Sequence, residues 1–350
     1  MSTIALAMIV RNESAVIDRC LASARPLIDT WVICDTGSTD DTISRIQSAL
    51  DGIPGRLLHQ PWVNFGTNRT NLLREARSAA TYLLLLDADM TLVGDRADLL
   101  HLTGDGYYLP VHDGTVTYWM PYLIRADRPW RYTGVTHEYL TCEDPVTWAR
   151  LPAWRVYHHA DGGMRADKWT RDYALLTEAV AADPTDARSV FYLAQTCRDR
   201  GDVAAAITWY RQRVSLGGWE EEIFYAQYQI GVLLAATEWT AAVPELLAAW
   251  NLRPHRAEPW YHLACGWRAH QQWHLAYLAT QQGLALPEPD DLLFVESWIY
   301  GWGLWFEHSL AAYYTGHVRE ARAANDRVLA DPTVPELWRS HAQKNAQWWS

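Results

Sequence analysis

Cysteine is scarce and scattered, with five in 350 residues (Cys20, Cys34, Cys142, Cys197 and Cys265), an odd number and no C-x-x-C pair. That argues against a disulfide framework or a cysteine zinc site and fits a reducing compartment. Lysine is nearly missing: Lys168 and Lys344 stand alone among 30 basic residues, a bias of coding more than of mechanism. Those 30 are outnumbered by 41 acidic residues, for a net charge of −11. Neither half of the chain is basic, so no duplex nucleic acid partner is expected. There is no apolar run of the ~18 residues that a membrane span needs. The first apolar stretch, Ile4–Val10, has neither the leading positive charge nor the small-residue cleavage site of a signal peptide. No membrane partner and a cytoplasmic location are expected. G-x-G-x-x-G and G-x-x-x-x-G-K-[ST] are also missing, which disfavours a dinucleotide fold and a P-loop.

What is present falls into two halves. Over the first 110 residues, short β-type runs alternate with helical segments: strands at Ile4–Val10, Trp31–Cys34, Arg56–His59 and Tyr82–Leu86, helices at Ser14–Ala24, Thr42–Leu50 and about Thr67–Ala80. This alternation predicts an α/β domain with a mostly parallel sheet covered on both faces, with ligands beyond the carboxyl ends of the strands. The pattern becomes more β-rich and irregular after Tyr107, up to about His159. From about Asp167 it is helical only, and Val203, Trp239, Trp273 and Val318 recur at spacings of 36, 34 and 45 residues. The first two match a tetratricopeptide period, and the third implies an insertion around Pro287–Gly303. Three to four helical hairpins are expected, the second degenerate. The domains are read as 1–170 and 171–350. Most of the 20 tryptophans are expected to fill large packing positions. Trp298, Trp302 and Trp305, inside the insertion, are candidates for a groove.

Two carboxylate motifs lie at strand ends. Asp87-Ala88-Asp89 follows four leucines, and two carboxylates so placed can share a hard divalent cation, Mn²⁺ or Mg²⁺, and reach a ribose or phosphate. Asp35-Thr36-Gly37-Ser38 ends the second strand. Gly37 permits close backbone approach, and Asp35 can accept from a base or ribose; equally, the turn can be a plain strand-to-helix connection with Ser38, Thr39 or Asp40 as cap.

Met8–Glu13, Val32–Thr42, Leu84–Asp89, Thr136-His137-Glu138 and Val156–Gly163 together resemble family-2 glycosyltransferases of the GT-A fold, over roughly residues 3–180. The helical tail narrows the resemblance to a bacterial and phage-type subgroup that includes peptide and protein glycosyltransferases. The resemblance implies a metal-dependent, inverting transfer from a nucleoside-diphosphate sugar, expected to be a UDP-sugar, to a peptide or protein side chain held by the repeats. The alternatives are a scaffold that has lost catalysis and a transferase for a modified nucleobase or other small acceptor.

By the same resemblance, Asp35 contacts the base, with Gly37 and Ser38 beside it, and Val10, Arg11, Asn12 and Glu13 line the same pocket. Asp87 meets the ribose or a metal-bound water, with Ala88 between it and Asp89, which ligates the metal. His158, or its neighbour His159, is the second metal ligand. Glu138 is the base, with Asp113 or His112 as fallbacks because His137-Glu138 stands where the family has Glu-Asp. His137 is a metal ligand or an acceptor contact. Arg69, Arg131 and Lys168 are candidate diphosphate partners, and Asp161-Gly162-Gly163 a candidate mobile loop. Trp348 and Trp349 in the last repeat are candidates either to seal the superhelix or to make a homodimer contact.

Overall fold

The computed structural model describes residues 2–114, 116–134, 136–162 and 168–349, without the side chains of Leu100, His101, Lys168 and Trp349. The chain forms two units, Met1–Pro184 and Thr185–Ser350. The division lies beyond residue 170 because helix α4 (Lys168–Ala182) belongs to the first unit: Thr136 Oγ1 donates to Asp172 Oδ1 at 3.5 Å, and Arg171 lies over the Phe65 ring.

In the first unit, β1 (Ile4–Val10) is buried at all seven positions, the run expected of a strand covered on both faces. It pairs in parallel with β2 (Thr30–Asp35) and β4 (Tyr82–Leu85), and β2 with β3 (Gly55–His59). Helices α1 (Ile17–Ala24), α2 (Thr42–Ala49) and α3 (Phe65–Ala76) alternate with these strands. The parallel half runs β3-β2-β1-β4, and the remainder of the sheet is mixed. Strand β7 (Val116–Arg125) pairs antiparallel with both β4 and β6 (Gly106–Asp113). Strand β11 (Arg155–His158) lies parallel to β6 and antiparallel to β5 (Met90–Val93), and β10 (Trp148–Arg150) joins β6. A hairpin needs no crossover helix, which is why helical punctuation stops where β6 and β7 begin. Strands β8 (Trp130–Thr133) and β9 (Tyr139–Cys142) form a separate ribbon. Val10 is in register with Asp35, so the carboxyl ends of β1 and β2 open at one level of the sheet.

The second unit consists of paired helices: α5 (Ala187–Asp199) with α6 (Val203–Leu216), α7 (Glu220–Ala235) with α8 (Trp239–Leu252), α9 (Glu258–Ala269) with α10 (Trp273–Leu284), and α11 (Leu304–Tyr314) with α12 (Val318–Ala330), followed by α13 (Glu336–Asn345). Val203, Trp239, Trp273 and Val318, whose spacing marks the repeat, each open the second helix of a pair. Asp186 and Asp202 cap α5 and α6 by accepting backbone N–H groups. The second pair is regular in spite of Pro244 inside α8. Gly266 is required by packing, since a Cβ there would lie 2.0 Å from the Trp239 ring.

Trp298, Trp302 and Trp305 do not line a groove. They pack with Phe306, Val328 and Trp338 into a small core. The insertion does something else. Residues 292–296 cross α7 and α9: Glu221 Oε2 accepts from the N–H groups of Leu292 and Leu293 at 2.8 and 2.7 Å. Arg256, which is 1% exposed, donates to the carbonyls of Leu293 and Phe294, and Tyr228 donates to Glu296. The repeat face formed by α7 and α9 therefore carries a stretch of the chain's own backbone. All five cysteines are free, and among the described residues no helix is long and apolar enough to cross a membrane.

Candidate functional site

A cavity of about 300 Å³ in the first unit opens beyond the carboxyl ends of β1, β2 and β4. Of the residues singled out in the sequence, it brings together Val10, Arg11, Glu13, Arg69, Asp87, Ala88, Asp89, Thr136, His137, Glu138, His158 and Gly162. Asn12, Asp35, Gly37 and Ser38 are not among the residues that line it. Asp35 is 4% exposed, and its carboxylate accepts from the N–H groups of Gly37 and Ser38 at 3.1 Å. Asn12 N donates to Ser38 Oγ, and Asn12 Oδ1 accepts from Thr39 N. The two loops after β1 and β2 thus brace each other. Asp40 takes part by accepting from Thr42 and Ser14. The side chain of Lys168 and the whole of Gly163 lie outside the described residues.

The floor of the cavity is a charged line. Arg69 Nη2 donates to Asp87 Oδ1 at 2.5 Å, and its Nε lies 2.6 Å from Glu138 Oε1. Arg69 and Glu138 are 12% and 10% exposed at their side chains. Burial acts to lower the Arg69 guanidinium, but Asp87 and Glu138 outweigh it and hold it well above its ordinary value. Burial pushes the Glu138 carboxyl above the usual glutamate range against the pull of Arg69. Arg69 is therefore committed to two carboxylates of the protein. Arg131, the other arginine of that reading, sits exposed, 3.9 Å from Glu143.

At the other end, His158 Nε2 lies 3.3 Å from Asp89 Oδ2 and its Nδ1 lies 3.0 Å from Asp113 Oδ2. Burial would depress the imidazole, yet the two carboxylates raise it to about 9. Burial likewise pushes Asp89 up, and His158 more than reverses this. Its neighbour His159 faces elsewhere, with Nε2 2.8 Å from Thr91 Oγ1. Asp113 and His112 lie outside the lining, His112 stacked on Tyr157. Asp161 is held by a two-point pair with Arg19, and Gly162 N approaches Asp89 Oδ2 at 3.4 Å.

Asp89 and His158 present an oxygen and a nitrogen side by side on the cavity wall. Among the described residues no three of His, Cys, Asp and Glu gather to hold a metal ion. Once His158 gives up its proton, this pair fits a cation that takes two protein ligands and completes its shell with phosphate and water, the habit of Mg²⁺ and Mn²⁺ at diphosphates. Backbone strain marks the same region. Asn12, His137 and Ala160 have φ of 55°, 50° and 56°, a left-handed conformation that side chains other than glycine rarely adopt.

Sequence reasoning missed most of a second wall: Trp62, Phe65, Arg171 and Asp172, which stand beside the predicted Thr136. Asn64 carries the legible signal, since it caps α3 by accepting from Thr67 N and so places Phe65 and Arg69 one turn apart. Gly66 sets the approach of α3 to the segment before Glu138, because a Cβ there would lie 2.5 Å from the carbonyl oxygen of Gly134. Gly66→Ala should gain about 1 kcal/mol of helix propensity. It should lose about 1–3 kcal/mol to the clash with backbone. A lower melting temperature is expected; a raised melting temperature would count against this packing.

These strand ends, with a D-x-D carboxylate pair facing a buried glutamate, are where comparison with known proteins is informative. Residues 6–98 match the family model of glycosyl transferase family 2. The matched segment runs from within β1 through β5 and supplies every lining residue from Ile9 to Met90. Over 315 residues the chain is 26% identical to a "TPR repeat-containing protein" of Synechococcus elongatus, covering 81% of this chain and 76% of that protein. Among solved structures it is similar to YrrB, described as a TPR protein with an unusual peptide-binding site (14% identity, TM-score 0.39, 51% of this chain and 84% of that one). It is also similar to MamA from Desulfovibrio magneticus (22%, 0.34, 47% and 90%) and to a thermophilic TPR protein of Thermus thermophilus (15%, 0.37, 51% and 91%).

Proposed function

We propose that the cavity transfers a sugar from a nucleoside-diphosphate sugar, a UDP-sugar, to a peptide or protein side chain, with inversion at the anomeric carbon and dependence on Mn²⁺ or Mg²⁺. The observation that carries this reading is the buried Glu138, with its carboxyl raised by burial, in the same cavity as the Asp89–His158 pair. A general base works best when its affinity for a proton is lifted toward the operating pH. Glu138 takes the proton of the acceptor group as that group attacks the anomeric carbon. The bond from that carbon to the diphosphate breaks, and its electron pair leaves with the phosphate oxygen. Arg69 keeps Glu138 in place and stays paired with Asp87 while Glu138 becomes neutral. Arg11 lines the donor side, and its Nε is buried without a hydrogen-bond partner, a donor suited to phosphate. Asp89 and His158 would hold the divalent ion, which when bound supplies positive charge for the leaving diphosphate.

The test is the thermal stability of the full chain against UDP, GDP, CMP and dTDP, each with and without Mn²⁺. A ligand that binds only the native state raises the melting temperature by mass action. A metal-dependent rise with one diphosphate is expected. The absence of any rise would remove this reading in favour of a scaffold that acts through its repeats.

A further inference from the structure

We propose that Trp62, Phe65, Arg171 and Asp172 form a subsite for a pyranose ring, a role that rests on the glycosyl-transfer reading but uses none of its acid–base or diphosphate-binding residues. The wall is continuous by contact. The rings of Trp62 and Phe65 meet edge to face, 4.8 Å apart at 85°, and make an apolar corner in the cavity. The Arg171 guanidinium lies 5.6 Å over Phe65 and reaches Asp172 Oδ1 at 3.3 Å. Asp172 in turn is contacted by Thr136, adjacent in the chain to His137 and Glu138. The loop bearing Trp62 is built rather than loose: the side chain of Asn68, 1% exposed, accepts from Val63 N and donates to the Pro61 carbonyl.

Asp172 is the decisive group. It is a carboxylate with 1% exposure on a cavity wall, and its Oδ1 takes Arg171 Nε and Nη2 at 3.3 Å and Thr136 Oγ1 at 3.5 Å, the outer limit of a hydrogen bond, while its Oδ2 takes none of them. An ionised carboxylate can accept about four hydrogen bonds, so strong acceptor capacity remains. Beside it stands a planar guanidinium with donors. A carboxylate and a guanidinium next to an aromatic corner match a ring with an apolar C–H face and vicinal hydroxyls at its rim, which both donate and accept. The ring can belong to the donor's transferred sugar or to a saccharide on the acceptor, and the chemistry of recognition is the same.

Saturation-transfer NMR on the full chain with free glucose, galactose, mannose and N-acetylglucosamine tests the subsite directly. At least one sugar should give a signal that drops at least several-fold in Trp62→Ala, a half-buried position whose loss leaves the fold intact by melting temperature. Asp172→Asn, nearly isosteric, separates the sources. A rise of about tenfold in Kd for UDP-glucose, UDP-galactose, UDP-N-acetylglucosamine or GDP-mannose, with the bare diphosphate unchanged, assigns the donor's ring. Unchanged donor binding with about a tenfold higher KM for a saccharide acceptor assigns the acceptor's ring. Sugar signals that are absent, or equal in wild type and Trp62→Ala, overturn the subsite. If no nucleotide binds at all, the transfer reading falls, while the free-sugar signal still decides this one.

Discussion

Glu138→Gln is expected to lower kcat by about 10²–10⁴-fold, the usual contribution of a positioned general base. Glutamine keeps the shape of the side chain and its contact with Arg69 but cannot take a proton. The stability cost should be small beside the kinetic one, about 1–2 kcal/mol, because Arg69 keeps its ion pair with Asp87. The pH dependence provides a second check. The base is active when ionised, so kcat/KM should be full at high pH and fall as pH drops through the carboxyl's apparent pKa. Burial raises that carboxyl, so the fall should lie above the ordinary 4.5. In Glu138→Gln this acid limb should vanish. A variant with activity near wild type, or with the same limb, would place the base elsewhere, and Asp113 would be the next residue to test.

The second large effect is expected at Asp89. Asp89→Asn preserves volume and removes the charge that faces His158. The fold should persist, since His158 retains Asp113 on its other nitrogen. Saturation of wild type with diphosphate and Mn²⁺ at about a hundred times Kd stabilises the native state by about 2.7 kcal/mol. That corresponds to a rise of about 5–10 °C for a unit of this size. In Asp89→Asn the metal-dependent part of the rise should disappear, and transfer should fall more than about a hundredfold, because the charge of the leaving diphosphate is no longer met. A metal-dependent rise of undiminished size would exclude Asp89 as a ligand.

The legibility of this chain varies with the range of the forces involved. Strands β1, β2 and β4 are continuous apolar runs, β2 ending in Asp35 and β4 two residues before Asp87, and such runs with helical segments between them have few alternatives to a parallel sheet. Helix α3 begins two residues before the predicted start because Asn64 caps it, a local signal that was available. Asp35 illustrates the limit of spacing. Its position at a strand end was clear, but only the folded loop shows its carboxylate accepting the turn's own amides. The same holds for the three tryptophans of the insertion, whose burial in a small core depends on partners more than 20 residues away.

By itself, the amino-acid sequence determined the two-part architecture, the strand end that carries Asp87 and Asp89, and the spacing of the helical repeats. Those properties follow from periodicity and from residue types within one element. Tertiary structure alone decided that Arg69 is held between Asp87 and Glu138, that Arg171 and Asp172 of α4 complete the cavity of the first unit, and that residues 292–296 lie across α7 and α9. Each is a contact between segments far apart in the chain, made by side chains whose ionic or hydrogen-bonding partner has no fixed sequence offset.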